Sequence, residues 1–172
     1  MLIQEPSALS VVSSANQSPL CHGVASGSIQ LNITGGTGLL QYTLQPGGST
    51  NTSGNYSNLP SGAYTLTCTD ANGCSYSYTA TLTEPALIEL DSMQVKAPGC
   101  NPNNDGTLRI FAHGGTAPLT YSIGGTFGSN NFFSNMTSNT YSVVVKDGNG
   151  CTLSTLVIMQ SENAPVWITS EV

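Results

Sequence analysis

Five cysteines, two Asp-x-Asn-Gly-Cys loops and a few aromatic side chains are the residues of this sequence with chemistry to offer. Cys21 recurs as Cys100 after 79 residues and Cys74 recurs as Cys151 after 77. These matching positions make Cys21 with Cys74 and Cys100 with Cys151 the natural disulfides, each contributing about 4 kcal/mol in the chain-entropy model. The competing reading is four reduced thiols in a cytosolic protein. A zinc site is poorer still, because no pair has the close Cys-x-x-Cys spacing. Cys68 is matched by Val145 on a strand face that alternation turns inward, so it reads as a buried free thiol serving as a small hydrophobe. A nucleophilic cysteine would need a nearby histidine, and His22 belongs to the other end of the proposed bridge.

Asp70-x-Asn72 and Asp147-x-Asn149 place oxygen ligands at alternate positions, as a calcium loop does. One carboxylate per loop is little charge for such an ion, and Asx residues followed by glycine are what a tight hairpin turn requires. The turn is therefore the expected role and no metal or other cofactor is assigned. A glycosidase needs two carboxyl groups about 5 to 9.5 Å apart. The recurring acids Asp70 and Asp147 fall in different copies with no second recurring acid beside either, so no catalytic residue is assigned. Gly35-Gly36-Thr37-Gly38 and Gly114-Gly115-Thr116 have a phosphate-loop composition, but no lysine follows and no helix begins there, so they read as turns. Tyr42, Tyr56, Tyr121 and Trp167 could stack on a sugar, although Tyr42 and Tyr121 recur at core-like positions. Five Asn-x-Ser/Thr sequences, beginning at Asn16, Asn32, Asn51, Asn55 and Asn135, are what chance produces in such a composition.

The elements that must hold these residues follow from composition. Ser, Thr and Asn make up a third of the 172 residues, and with 19 Gly and 9 Pro they leave no window rich in helix formers. Only 7% of residues are charged, with Lys96, Arg109 and Lys146 the sole basic ones and a net charge of -6. Three separated cations cannot track a phosphate backbone, which excludes nucleic acid as a partner. No run approaches the roughly 20 apolar residues of a membrane span, and Met1 to Pro6 has neither the basic nor the apolar region of a signal peptide. Glu5-Pro6 recurs as Glu84-Pro85, Gly35-Gly36-Thr37 as Gly114-Gly115-Thr116 and Tyr42 as Tyr121, so the chain is a tandem repeat. Two extra residues of the first copy fall within the polar stretch 45–58, expected to be a surface loop. Ile29, Leu31 and Ile33 alternate with polar residues, as do Leu108, Ile110 and Ala112, and the period of two marks strands with one buried face. Strands are expected near 8–12, 27–34, 40–44, 55–59, 62–69 and 75–83, and again in the second copy. The expected fold class is all-β, with two tandem immunoglobulin-like antiparallel β-sandwich modules.

The motifs Gly27-Ser28-Ile29, Ile33-Thr34-Gly35-Gly36-Thr37-Gly38, Leu59-Pro60-Ser61-Gly62-Ala63-Tyr64-Thr65-Leu66 and Thr69-Asp70-Ala71-Asn72-Gly73-Cys74, with Cys21 and Tyr42, resemble the SprB-type repeat. That repeat occurs in the gliding-motility adhesins and other large surface proteins of Bacteroidetes. The second copy departs from the pattern at Asn139, which replaces the turn glycine, and at the added polar loop 101–105. The resemblance implies extracellular display in a secreted, non-catalytic adhesive or structural protein. Asp91-Ser92-Met93 resembles the short O-glycosylation signal of exported proteins from that group, and a plain strand end is the equal alternative.

The expected division is an end strand or linker at 1–6, repeats at 7–84 and 85–164, and the start of a further module or an exchanged strand at 165–172. Leu2 and Ile3 match a closing strand, while Val166, Trp167 and Ile168 match an opening one. These are the expected assembly strands, continuing into covalent neighbours or docking on other copies as a filament does. The expected partners are thus neighbouring repeats, other copies and surface glycans. The rival function is a carbohydrate-binding module of a secreted hydrolase.

Overall fold

The computed structural model describes residues 5–99 and 104–161. The chain divides into two compact units, Met1–Pro85 and Ala86–Val172. Every regular element of the described residues is a strand, and none is a helix long and apolar enough to cross a membrane.

The first unit contains β1 (Ser10–Gln17), β2 (Gly27–Thr34), β3 (Gln41–Gln45), β4 (Ser49–Asn51), β5 (Asn55–Leu59), β6 (Gly62–Thr69) and β7 (Ser75–Leu82). They form two antiparallel sheets, ordered β1-β2-β5 and β4-β3-β6-β7. Alternation decides the inner faces. Ile29 and Leu31 of β2 and Tyr56 and Leu59 of β5 meet Tyr42 and Leu44 of β3, Tyr64, Leu66 and Cys68 of β6, and Ala80 and Leu82 of β7. Each fully buried aliphatic side chain of this set contributes about 1.5–3 kcal/mol of transfer free energy. The Asn-Gly turn between β6 and β7 was expected and pairs Gly62 through Thr69 with Leu82 through Ser75 without a slip.

The second unit contains β8 (Glu89–Lys96), β9 (Gly106–His113), β10 (Thr120–Ser122), β11 (Phe132–Met136), β12 (Asn139–Lys146) and β13 (Thr152–Met159). Its sheets run β8-β9-β11 and β10-β12-β13. Its core is Ile88, Leu108, Ile110, Met136, Val143, Val145, Val157 and Met159. The all-β, immunoglobulin-like sandwich architecture is thus present twice.

Two elements differ from expectation. The first strand occupies Ser10–Gln17 rather than 8–12, and all eight of its residues are exposed. An edge strand held by backbone pairing to β2 has no buried face, so no apolar period announces it. The stretch 45–58 holds the short strand β4 and the start of β5, where a loop had been expected over most of its length. The corresponding part of the second unit has only an isolated bridge between Tyr121 and Gly128.

Candidate functional site

At one pole of each unit three loops meet on a single aspartate. Asp70, 6% exposed, follows β6 and opens the turn to β7. Its Oδ1 accepts the backbone N–H groups of Asn72 at 2.9 Å and Cys74 at 2.8 Å, closing its own turn. Its Oδ2 accepts the N–H of Thr37 at 2.9 Å, which ties the turn to the Gly-Gly-Thr segment after β2. Ala71 returns its N–H to the Thr37 carbonyl at 2.9 Å, and the Gly36 N–H reaches the carbonyl of Ser7 at 2.7 Å. The opening segment, the glycine turn and the hairpin turn are stitched together in this way.

The second unit repeats the arrangement. Asp147 accepts from Asn149 and Thr116 at 2.9 Å and from Cys151 at 2.8 Å, while the Gly115 N–H reaches the Ala86 carbonyl at 2.9 Å. The glycines are required sterically. Gly35 and Gly114 have φ of +93° and +83°, and a Cβ on them would strike the carbonyls of Ala8 and Leu87.

The N–H of Thr37 is the main influence holding the Asp70 carboxyl below its ordinary range; burial opposes it, and the N–H groups of Cys74 and Asn72 assist. At Asp147 burial is the largest influence and pushes upward, but the donors Thr116, Cys151, Asn149 and Gly150 together outweigh it, so its carboxyl also lies low. Asp70 and Asn72, with Asp147 and Asn149, had been weighed as calcium ligands. Both carboxylates are instead occupied by backbone donors, and no cluster of three metal-ligating side chains occurs among the described residues.

The cysteines depart from the expected pairing. Cys21 is disulfide-bonded, but Cys74 is an exposed free thiol, so the Cys21–Cys74 bridge is not formed. Topology gives the reason. Cys74 immediately precedes β7, whereas the loop carrying Cys21 is fastened to the other end of that strand. There Ser18 Oγ accepts the Thr83 N–H at 3.1 Å, and the Gly23 N–H donates to Glu84 Oε2 at 2.7 Å. Eight strand residues span roughly 25 Å, against a Cα separation of at most about 7 Å for a disulfide. Cys151 is disulfide-bonded, and Cys100 lies outside the described residues, so the second expected bridge cannot be described. Cys68 is 0% exposed and its thiol is free. Burial pushes that thiol up; the hydrogen bond with Tyr42 opposes this and the charge of Asp70 adds to it.

The aromatic residues do not form an exposed stacking platform. Tyr42 and Tyr56 are core residues, the Tyr56 hydroxyl donating to the Tyr42 carbonyl at 3.0 Å and the Tyr42 hydroxyl accepting the Ile33 N–H at 3.2 Å. Tyr121 packs against the second core. Sequence reasoning missed one tyrosine role. The Tyr64 hydroxyl donates to the Pro60 carbonyl at 3.0 Å, and the Tyr141 hydroxyl donates to the Thr137 carbonyl at 3.1 Å. Each tyrosine stands near the start of its strand and bonds back four residues, the tyrosine corner of immunoglobulin-like sandwiches. The signal was present in Leu-Pro-Ser-Gly-Ala-Tyr, where the turn and the tyrosine occur together. Ser92 is exposed on β8 beside the register shift after Leu90. Leu2, Ile3, Val166, Trp167 and Ile168 lie outside the described residues.

The outer face of the β4-β3-β6-β7 sheet is the other surface of note. Across it run the rows Gln41, Thr69, Ser75; Thr50, Thr43, Thr67, Ser77; and Gln45, Thr65, Thr79. Each row carries hydroxyl or amide groups and no charge. The matching face of the second unit pairs Thr140 with Ile158, Ser142 with Leu156, Val144 with Ser154 and Lys146 with Thr152.

The family model described as the SprB repeat matches residues 13–49 and 94–125, one segment in each unit. The comparison with curated proteins returns no match. Among solved structures, the N-terminal eight Ig domains of Down Syndrome Cell Adhesion Molecule isoform 1.30.30 are similar at 11% identity with a TM-score of 0.46, covering 90% of this chain and 25% of that one. Extracellular domains 3-5 of Drosophila OTK are similar at 14% identity with a TM-score of 0.39, covering 89% of this chain and 61% of that one. Both likenesses are too distant to carry an argument, and this chain spans only part of each. The repeat match agrees with the motifs and with the duplicated fold: the chain carries two tandem SprB repeats.

Proposed function

We propose that the chain is a non-catalytic, adhesive and structural segment of an extracellular surface protein, making weak contacts with neutral glycans that many repeats add together. The observation that carries this reading is the uncharged hydroxyl and amide face of the first unit, built from Thr43, Thr65, Thr67, Thr69, Ser75, Ser77 and Thr79. Such a face offers closely spaced donors and acceptors at the strand separation of about 4.8 Å. It has no exposed aromatic platform and no enclosed pocket, so one sugar gains little at one site. Multiplicity then supplies avidity, because a second contact on the same chain is intramolecular. The two SprB repeats support display at a surface, and attachment or gliding is the role this implies.

A glycan array probed with the whole chain, first monomeric and then displayed in many copies on a bead, tests the reading. Binding is expected only in the multivalent format. Replacing Thr67 and Thr79 with aspartate should weaken it at least tenfold while circular dichroism stays unchanged. Tight binding of the monomer to a single sugar would instead favour a carbohydrate-binding module, and multivalent binding indifferent to the two aspartates would remove this face from the function.

A further inference from the structure

Cys74 and Cys151 occupy the same place in two nearly identical loops, yet one is an exposed thiol and the other is disulfide-bonded. In both loops the cysteine N–H donates to the aspartate at 2.8 Å, and the following residue starts the last strand of the unit. The position therefore carries a disulfide in one copy of the same local geometry. Cys74 has no partner to find within its own unit. Cys68 points into the core with 0% exposure, and Cys21 is already oxidised and sits at the far end of β7. Beside the Cys74 thiol lies a cavity of about 380 Å³ lined by Glu5, Pro6, Leu9, Gly36 and Asp70 among others. An approaching loop has room there.

We propose that Cys74 is a covalent attachment point for another repeat of this kind, its thiol forming a disulfide with an exposed cysteine of that repeat. This rests on the reading of the chain as one segment of a repeat assembly. The chemistry is thiol–disulfide exchange with a low-molecular-weight disulfide as oxidant. The Cys74 thiolate attacks one sulfur of that disulfide and releases a small thiol. The partner cysteine's thiolate then attacks the Cys74 sulfur and displaces the second small thiol. One protein S–S bond forms, one small S–S bond breaks, and the two electrons and two protons leave with the two small thiols.

The test incubates the whole chain at rising concentration with oxidised glutathione, followed by non-reducing electrophoresis and peptide mapping of the linked species. Disulfide-linked dimers and longer species are expected, joining the Cys74 peptide to a different cysteine of the second copy. C74S should abolish them at an unchanged melting temperature, and C68S should leave them intact. A glutathione adduct at Cys74 without chain-to-chain links would overturn the proposal, as would symmetric Cys74–Cys74 links alone or a ladder that survives C74S. Glycan binding by bead-displayed C74S is measured separately. Its loss or retention bears on the adhesive reading and leaves the linkage result untouched.

Discussion

Asp70 and Gly35 show how far single residues carry the fold of the first unit. Alanine at Gly35 must adopt a φ near +93° with its Cβ against the Ala8 carbonyl, so the Gly35→Ala variant is expected to lose about 2 kcal/mol or more, read as a lower urea midpoint. Asp70 and Asp147 predict the response to acid. Both carboxyls lie below their unfolded value, so the unfolded chain takes up protons first as pH falls. Their stabilisation is complete above the ordinary aspartate value of about 3.9 and is lost as pH drops through the folded values. The melting temperature should accordingly be flat from pH 7 to about 5 and decline below about 4. A D70N/D147N chain should show a shallower decline, and an equal decline in both chains would refute this role. The turn itself was legible from Asp-x-Asn-Gly. The reach of the same carboxylate to Thr37, 33 residues earlier, was not, because no spacing in one sequence reports which distant backbone donor lies opposite.

Strands with one buried face were readable because burial imposes a period of two, and β2, β6, β7 and their counterparts lie close to where alternation put them. β1 and β4 were not, since an exposed edge strand is held by backbone hydrogen bonds that leave no mark on residue type. The cysteine pairing failed for a related reason: recurrence shows which positions are equivalent but not which ends of a strand they occupy. β7 and β13 add a contrast between the copies. Their inward residues are apolar in both, whereas outward Thr79 and Thr81 correspond to Leu156 and Ile158, 65% and 66% exposed. Outward positions are free of the core, so replacing Leu156 and Ile158 with threonine should change stability by less than about 0.5 kcal/mol while raising the concentration at which the chain precipitates. Leu66→Ala, by comparison, should cost about 2–5 kcal/mol in denaturant unfolding. A large loss from the paired outward change would mean that this face is covered.

Across the whole chain, charge is too sparse to organise recognition. Twelve ionisable acids and bases of fixed charge are spread over 172 residues. The four ion pairs among the described residues, such as Lys96 with Asp105 at 3.1 Å and His113 with Asp91 at 2.7 Å, involve substantially solvent-accessible side chains. Pairs of this kind contribute little, and salt screens them further, the Debye length falling from about 10 Å at 0.1 M to about 3 Å at 1 M. Stability resides in the two apolar cores, and the proposed adhesive face carries hydroxyl and amide groups rather than charges. Hydrogen bonding between neutral groups releases no counterions. Multivalent attachment should therefore change less than about threefold between 0.05 and 1 M sodium chloride, measured as the fraction of beads retained on a glycan surface under flow. An attachment driven by a basic patch would fall by orders of magnitude over that range. Such a fall would assign the contact to the few charged residues and away from the threonine rows of β6 and β7.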